Sequence, residues 1–254
     1  MTPSAASPDW PWPYPRWIAH RGAGKLAPEN TLAAFRLGAS HGFRMFECDV
    51  KLSADEVPFL LHDTDLNRTS SGRGVASGLS WGELARLDAG AWHSPVYAGE
   101  PLLRLDELAH WLHQQALMVN LEIKPTPGQE VLTGEVVARE AARLWSGQAV
   151  PPLLSSFSLE ALQAARRVAP NLPRALLLEE LRADWLEGAL ALACVAVVGH
   201  HPQLNAANIA QAHAAGLKVL TYTVNEPARA DALWAAGLDG LITDAVDKFI
   251  PGRG

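Results

Sequence analysis

Residues 45–62 read MFECDVKLSADEVPFLLH. One apolar, strand-like run ends at Val50 and another begins at Val57, with only KLSADE between them. Parallel neighbours need a crossover of about a dozen residues or more, so this pair predicts an antiparallel hairpin. Apolar, β-rich runs also occur at 17–20, 118–123, 153–157, 174–178, 194–199, 218–224 and 240–243. Ala/Leu-rich helical stretches alternate with them, which predicts βα units around a parallel sheet. Setting aside the return arm 57–62 reduces nine candidate strands, counting 45–50, to eight parallel ones. The expected fold is therefore α/β, a (β/α)8 TIM barrel, and 254 residues suit one such domain spanning 1–254.

The hairpin register sets His62 roughly opposite Glu47. Beyond it, 64–104 includes DLNRTSSGRGVASG and AGAWHSPVYAGE, rich in Gly and Ser. This is too long for an ordinary barrel loop and predicts a small inserted subdomain after the second barrel strand, over the barrel mouth. Helices are expected at TLAAFRLGASHG, LDELAHWLHQQA, SLEALQAARRVAP, NAANIAQAHAAGL and EPARADALWAAGL. Several end at Gly, as helices commonly do.

Composition narrows the function classes. The chain is 48% hydrophobic and 19% charged, with net charge -6 and pI near 5.8. That argues against a general nucleic-acid or membrane-surface binder, which would carry a basic face. No run approaches a membrane span, and MTPSAASPDWPWPYPRW lacks the basic start and apolar stretch of a signal peptide. The expectation is a cytoplasmic protein without a membrane anchor. Oligomeric state is open, a homodimer included. Trp10, Trp12, Tyr14 and Trp17 are expected to pack a proline-extended arm onto the domain. Cys48 and Cys194 lie far apart in apolar runs and read as buried thiols.

The charged residues do not fit a core. Strand alternation puts Met45, Glu47 and Asp49 on one face, and Phe46, Cys48 and Val50 on the face toward the helices. Two carboxylates near the C-terminal end of a barrel strand are costly to bury unless they bind something positive. In NLEIKP (120–125), Glu122 and Lys124 share a face, and Glu122 is the natural third oxygen ligand. Hard oxygen donors suit one divalent cation, Mg2+ or Ca2+. Arg21 can grip a phosphate in a fork, and Lys124 adds a point charge. His20 and His62 titrate near neutrality and can form an acid/base pair. Three carboxylates against a divalent ion, Arg21 and Lys124 leave one positive charge, which matches a phosphodiester monoanion.

The chain resembles the glycerophosphodiester phosphodiesterase family of the bacterial cytoplasmic type. The matching residues are HRG at 20–22, PENT at 28–31, ECDV at 47–50, HD at 62–63, EIK at 122–124, SSF at 155–157, YTVN at 222–225 and DGLITD at 239–244. They occur in the family's order along nearly the whole chain. The resemblance implies a (β/α)8 barrel with an insertion after the second strand. It implies His20 and His62 as general acid and base, Glu47, Asp49 and Glu122 around one divalent ion, and Arg21 and Lys124 on the phosphate. Glu29 would fix the first loop or contact the site, or alternatively start the following helix. Phe157 would form an apolar wall of the substrate pocket or pack in the core. The family usually carries Trp where this chain has Tyr222, a ring expected to line the glycerol pocket. Asn225 and Asp244 would brace the barrel mouth. His200 and His201 fall at a strand end and are expected to serve the loop rather than a metal.

The implied reaction is hydrolysis of a glycerophosphodiester to sn-glycerol 3-phosphate and an alcohol. The nucleophile is water or the substrate's own neighbouring hydroxyl. Two alternatives share the fold: a lysophospholipid phosphodiesterase, and a non-catalytic barrel that binds glycerophosphodiesters. The first needs an apolar track, which the Gly/Ser-rich insertion does not suggest. The second could dispense with a histidine or a carboxylate, yet this chain carries them all.

Overall fold

The computed structural model describes residues 11–251. Its strands are β1 (Trp17–Ala19), β2 (Met45–Leu52), β3 (Pro58–Leu60), β4 (Met118–Ile123), β5 (Leu153–Ser156), β6 (Arg174–Leu178), β7 (Ala196–His200), β8 (Lys218–Tyr222) and β9 (Gly240–Thr243). Strands pair in the order β1-β9-β8-β7-β6-β5-β4-β2, and β1 also pairs with β2, closing a barrel. All pairings around that ring are parallel. β3 hangs antiparallel on β2, with Val50 opposite Leu60, so it is the return arm of a hairpin and not a barrel stave. The protein is an α/β TIM-like barrel of eight parallel strands with one attached strand.

Period-two alternation sorts the core into two shells. Ile18, Met45, Leu153, Ala175, Val198, Leu220 and Ile242 fill the barrel interior. Phe46, Cys48, Val50, Leu121, Ile123, Leu154 and Val197 face outward onto the helices. Both cysteines are buried and free. The helices are α1 (Leu32–Ser40), α2 (Trp81–Leu84), α3 (Leu105–Gln115), α4 (Glu130–Leu144), α5 (Leu159–Val168), α6 (Trp185–Ala191), α7 (Ala206–Ala214) and α8 (Pro227–Ala235). α1 and α5 start where Thr31 and Ser158 accept the backbone N–H of Ala34 and Ala161. The sequence reading did not single out α4 and α6. α4 reads EVLTGEVVAREAARL, whose Thr, Gly and paired Val weaken the helix signal, and α6 has only 7 residues.

Between β3 and α3 the chain forms α2, two short 3-10 turns and isolated bridges at Asp65–Val75 and Asp88–Pro101. This segment gathers its own apolar cluster from Phe59, Leu61, Leu66, Ala76, Leu84, Ala89 and Leu102. At the opposite end, Trp12 and Tyr14 pack against the barrel interior, and the Tyr14 hydroxyl donates to the Pro151 carbonyl at 2.9 Å. Trp17 begins β1 and stacks on Phe249. Trp10 lies outside the described residues. Among the described residues, no helix is long and apolar enough to cross a membrane.

Candidate active site

The site lies where β1, β2 and β4 end. The turn after β1 carries His20 and Arg21, and Arg21 takes a left-handed φ of 50°. Asn30, at φ 61°, does the same before α1. Such conformations cost about 1–3 kcal/mol for a residue with a side chain and cluster at functional sites. Here both residues reach the same carboxylate. Arg21 Nε lies 3.2 Å from Asp49 Oδ2, and Asn30 Nδ2 donates to that oxygen at 2.9 Å. The Arg21 backbone N–H also donates to Glu47 Oε2 at 3.3 Å.

β2 aims Glu47 and Asp49 inward, and β4 adds Glu122, which pairs with Asp49 in register. The three side chains are buried, and each can place an oxygen within 4.8 Å of the other two. Lys124 Nζ lies 2.8 Å from Glu122 Oε1 and 3.4 Å from Asp49 Oδ1. Burial raises all three carboxyl pKa values, but Arg21, Lys124 and His62 outweigh it at Asp49, which is held well below the ordinary carboxylate range. At Glu122, burial and then Asp49 push the value up to about 7. Glu47 is also pushed well up by burial, then by Asp49 and Glu122. The two cations therefore compensate one carboxylate and leave the others short of positive charge. Among the described residues Glu47 Oε1 is buried without a hydrogen-bond donor, and Asp49 Oδ1 has only the 3.4 Å ion pair with Lys124. This oxygen set fits a hard divalent cation, which would replace the missing charge.

Each histidine is oriented by a carboxylate. His20 Nδ1 is 2.6 Å from Asp244 Oδ1, with its Nε2 3.7 Å from Glu47 Oε2. Asn225 holds Asp244 in turn, donating from Nδ2 at 3.3 Å and accepting the Asp244 backbone N–H at 2.8 Å. His62 Nδ1 is 2.8 Å from Asp63 Oδ1. Burial, despite the nearby carboxylates, keeps the His62 pKa below its ordinary value. The His62 register differs from the sequence expectation. With Val50 opposite Leu60, continued pairing would set Asp63, not His62, opposite Glu47. The strand ends at Leu60, although the Leu61 backbone N–H still donates to the Asp49 carbonyl at 3.1 Å, so His62 falls one residue short of that position.

His20, Arg21, Glu47, His62, Glu122, Lys124, Phe157 and Tyr222 all line one cavity of about 280 Å3. Phe157 is 43% exposed, so it is a wall and not core. It meets Tyr222 edge-on at 5.8 Å, and Tyr222 stacks on His200 at 5.6 Å. The Tyr222 hydroxyl donates to the Leu178 carbonyl at 3.2 Å, which turns it away from the cavity centre. Glu29 does not start α1, whose first turn has no acid and whose cap is Thr31. Glu29 instead accepts from Arg21 Nη1 at 2.9 Å and from Arg68 at 2.8 Å.

Arg68 is the main residue the sequence reading missed. It also grips Asp63, at 2.7 Å, and so ties His62's partner to the loop after β1. Its signal was weak because it sits in a segment without periodicity. Lys51 was also missed, although the alternation that selects Glu47 and Asp49 selects it too. It is buried, donates to the Lys124 carbonyl at 3.1 Å, and is pushed down to about 8 by burial.

Known proteins share this architecture. A phosphodiesterase from Oleispira antarctica, whose structure holds the product sn-glycerol 3-phosphate, superposes with a TM-score of 0.86 and 34% identity, covering 92% of this chain and 94% of that one. A glycerophosphodiester phosphodiesterase from Agrobacterium tumefaciens superposes with a TM-score of 0.78 and 27% identity, over 93% of this chain and 99% of the other. In sequence, a glycerophosphodiester phosphodiesterase from Caldanaerobacter subterraneus is 29% identical over 92% of this chain and 95% of its own length. The profile of the glycerophosphoryl diester phosphodiesterase family matches residues 20–248. With that match over nearly its whole length, this chain belongs to the glycerophosphoryl diester phosphodiesterase family and is a phosphoric diester hydrolase.

Proposed function

We propose that the chain hydrolyses glycerophosphodiesters to sn-glycerol 3-phosphate and an alcohol, with one divalent cation, Mg2+ or Ca2+, held by Glu47, Asp49 and Glu122. The observation that carries this reading is the convergence of a buried three-carboxylate group and two carboxylate-held histidines on one cavity. The relative that holds sn-glycerol 3-phosphate supports the same substrate class. When bound, the cation supplies Lewis-acid stabilisation of charge on the phosphoryl oxygens.

The chain's own residues do the rest. Arg21 and Lys124 line the cavity beside the carboxylates and steady the phosphate. Asp244 and Asp63 accept the Nδ1 protons of His20 and His62, which turns each Nε2 to the cavity, one ring protonated there as the acid and the other not, as the base. One histidine, unprotonated at Nε2, takes the proton of the attacking oxygen, either from water directly or from the substrate's own neighbouring hydroxyl, in which case the cyclic phosphate formed is then opened by water. The other returns a proton to the leaving oxygen. Phe157 and Tyr222 wall the cavity with apolar ring faces suited to the carbon skeleton of glycerol. A second cavity of about 520 Å3 shares Phe157 and Leu177 with the first and offers space for the other ester arm.

The test is release of sn-glycerol 3-phosphate from glycerophosphocholine. His20→Ala and His62→Ala should each lower kcat by about 10²–10⁴-fold, with circular dichroism unchanged. Near-normal turnover in both variants would remove the acid/base assignment.

A further inference from the structure

Below the acidic group, the barrel wall carries polar atoms that nothing in the fold satisfies. Asn120 is 0% exposed, and neither its Nδ2 nor its Oδ1 has a hydrogen-bond partner among the described residues. Ser155 is also 0% exposed, and its Oγ is likewise unpartnered. Strand register fixes where they stand. Asn120 on β4 is level with Glu47, and Ser155 on β5 is level with Glu122. Alternation turns both inward, since Leu153 and Met45 on the same faces lie in the interior core. Asn120 reaches the floor of the 280 Å3 cavity beside Glu47 and Glu122.

A buried amide without partners is costly, and a leucine would fill the same space without that cost. The interior core around it is apolar, built from Ile18, Met45, Leu153, Ala175, Leu220 and Ile242 among others. Asn120 also neighbours Glu47, whose Oε1 is buried and without a hydrogen-bond donor among the described residues. Polar atoms without partners among the described residues thus stand level with Glu47 and Glu122 on the neighbouring strands, at the place where the cation reading puts an ion. Hard divalent ions keep water ligands, and those waters need hydrogen-bond partners that the carboxylates alone do not supply.

We propose that Asn120 and Ser155 are positioning residues of the divalent-cation site, holding the hydrated ion and its carboxylate ligands from beneath. This rests on the cation reading given under Proposed function. Asn120 offers both an acceptor for the hydrated ion and a donor for a ligand oxygen, and Ser155 does the same with one hydroxyl. Their unmet hydrogen bonds in the ion-free fold are made when the ion is bound.

The experiment compares the EDTA-treated parent, Asn120→Leu and Ser155→Ala. Each is titrated with MgCl2 and with CaCl2 by calorimetry, and melted without ions. Asn120→Leu should weaken cation affinity by about tenfold or more, and Ser155→Ala should weaken it by several-fold, in the same direction. Without ions, Asn120→Leu should melt no lower than the parent, because a matched apolar side chain replaces an unpartnered amide. A merely structural amide would give the opposite pattern, a lower ion-free melting temperature with unchanged affinity, and that result overturns the proposal. If Asn120→Leu does not fold, unchanged affinity in Ser155→Ala overturns it. Binding by the parent with equal affinity in both variants defeats this inference alone. No binding by the parent defeats the cation reading with it.

Discussion

Glu122 shows how one side chain reports on the site. Its carboxyl is pushed up to about 7 from an ordinary 4.5, first by burial and then by Asp49. The folded state therefore keeps a proton that the unfolded chain has released. The stability this contributes is full below about pH 4.5 and is lost as pH rises through about 7. Asp49 and Asp63 shift the other way, and their effect belongs to the acid limb below about pH 4. The lowered pKa of His62 works the other way over part of this range, so the reading is a difference: in EDTA, Glu122→Gln should gain in melting temperature relative to the parent between about pH 5 and about pH 8. The same pH profile in Glu122→Gln and in the parent would contradict the assignment. At this scale much was legible from alternation alone, because Glu47, Asp49 and Glu122 announce themselves as acids on inward strand positions. Arg68 was not, since its role depends on the non-local meeting of Asp63 and Glu29.

Single elements position the site through close backbone contacts. α1 carries Gly38 against the turn after β1, where a methyl group would overlap the Gly22 carbonyl oxygen. Gly22 itself has φ 99°, and its missing side chain admits Ala34 and the Phe35 backbone. The helix therefore sets the height of His20 and Arg21. Gly38→Ala should destabilise the fold by about 1–3 kcal/mol, measured by urea unfolding, and should lower kcat in the protein that remains folded. Full activity with unchanged stability would show that the turn does not depend on this contact. The hairpin was legible in KLSADE, too short to cross over. Its end was not, because Phe59 and Leu61 pack on Leu66, Ala76, Leu84, Ala89 and Leu102 from a segment without a regular apolar period. The short α6 was obscure for a related reason: 7 residues carry too little period to read.

The whole molecule is a closed barrel whose interior is apolar at mid-height and charged at its mouth. Closure follows from eight parallel strands with helices between them, an alternation legible in the sequence except at α4 and α6. The sequence did not show the division of cation charge at the mouth. Arg21 and Lys124 compensate Asp49, while Glu47 and Glu122 are left with raised pKa values that a bound divalent ion would lower again. The barrel is thus built short of positive charge at one place. The most direct test is sn-glycerol 3-phosphate release from glycerophosphocholine and glycerophosphoethanolamine, assayed with Mg2+, with Ca2+ and with EDTA. The account predicts release with at least one of the ions, loss in EDTA, and recovery when the ion is restored in excess. Undiminished release in EDTA, or none with either ion, would contradict it.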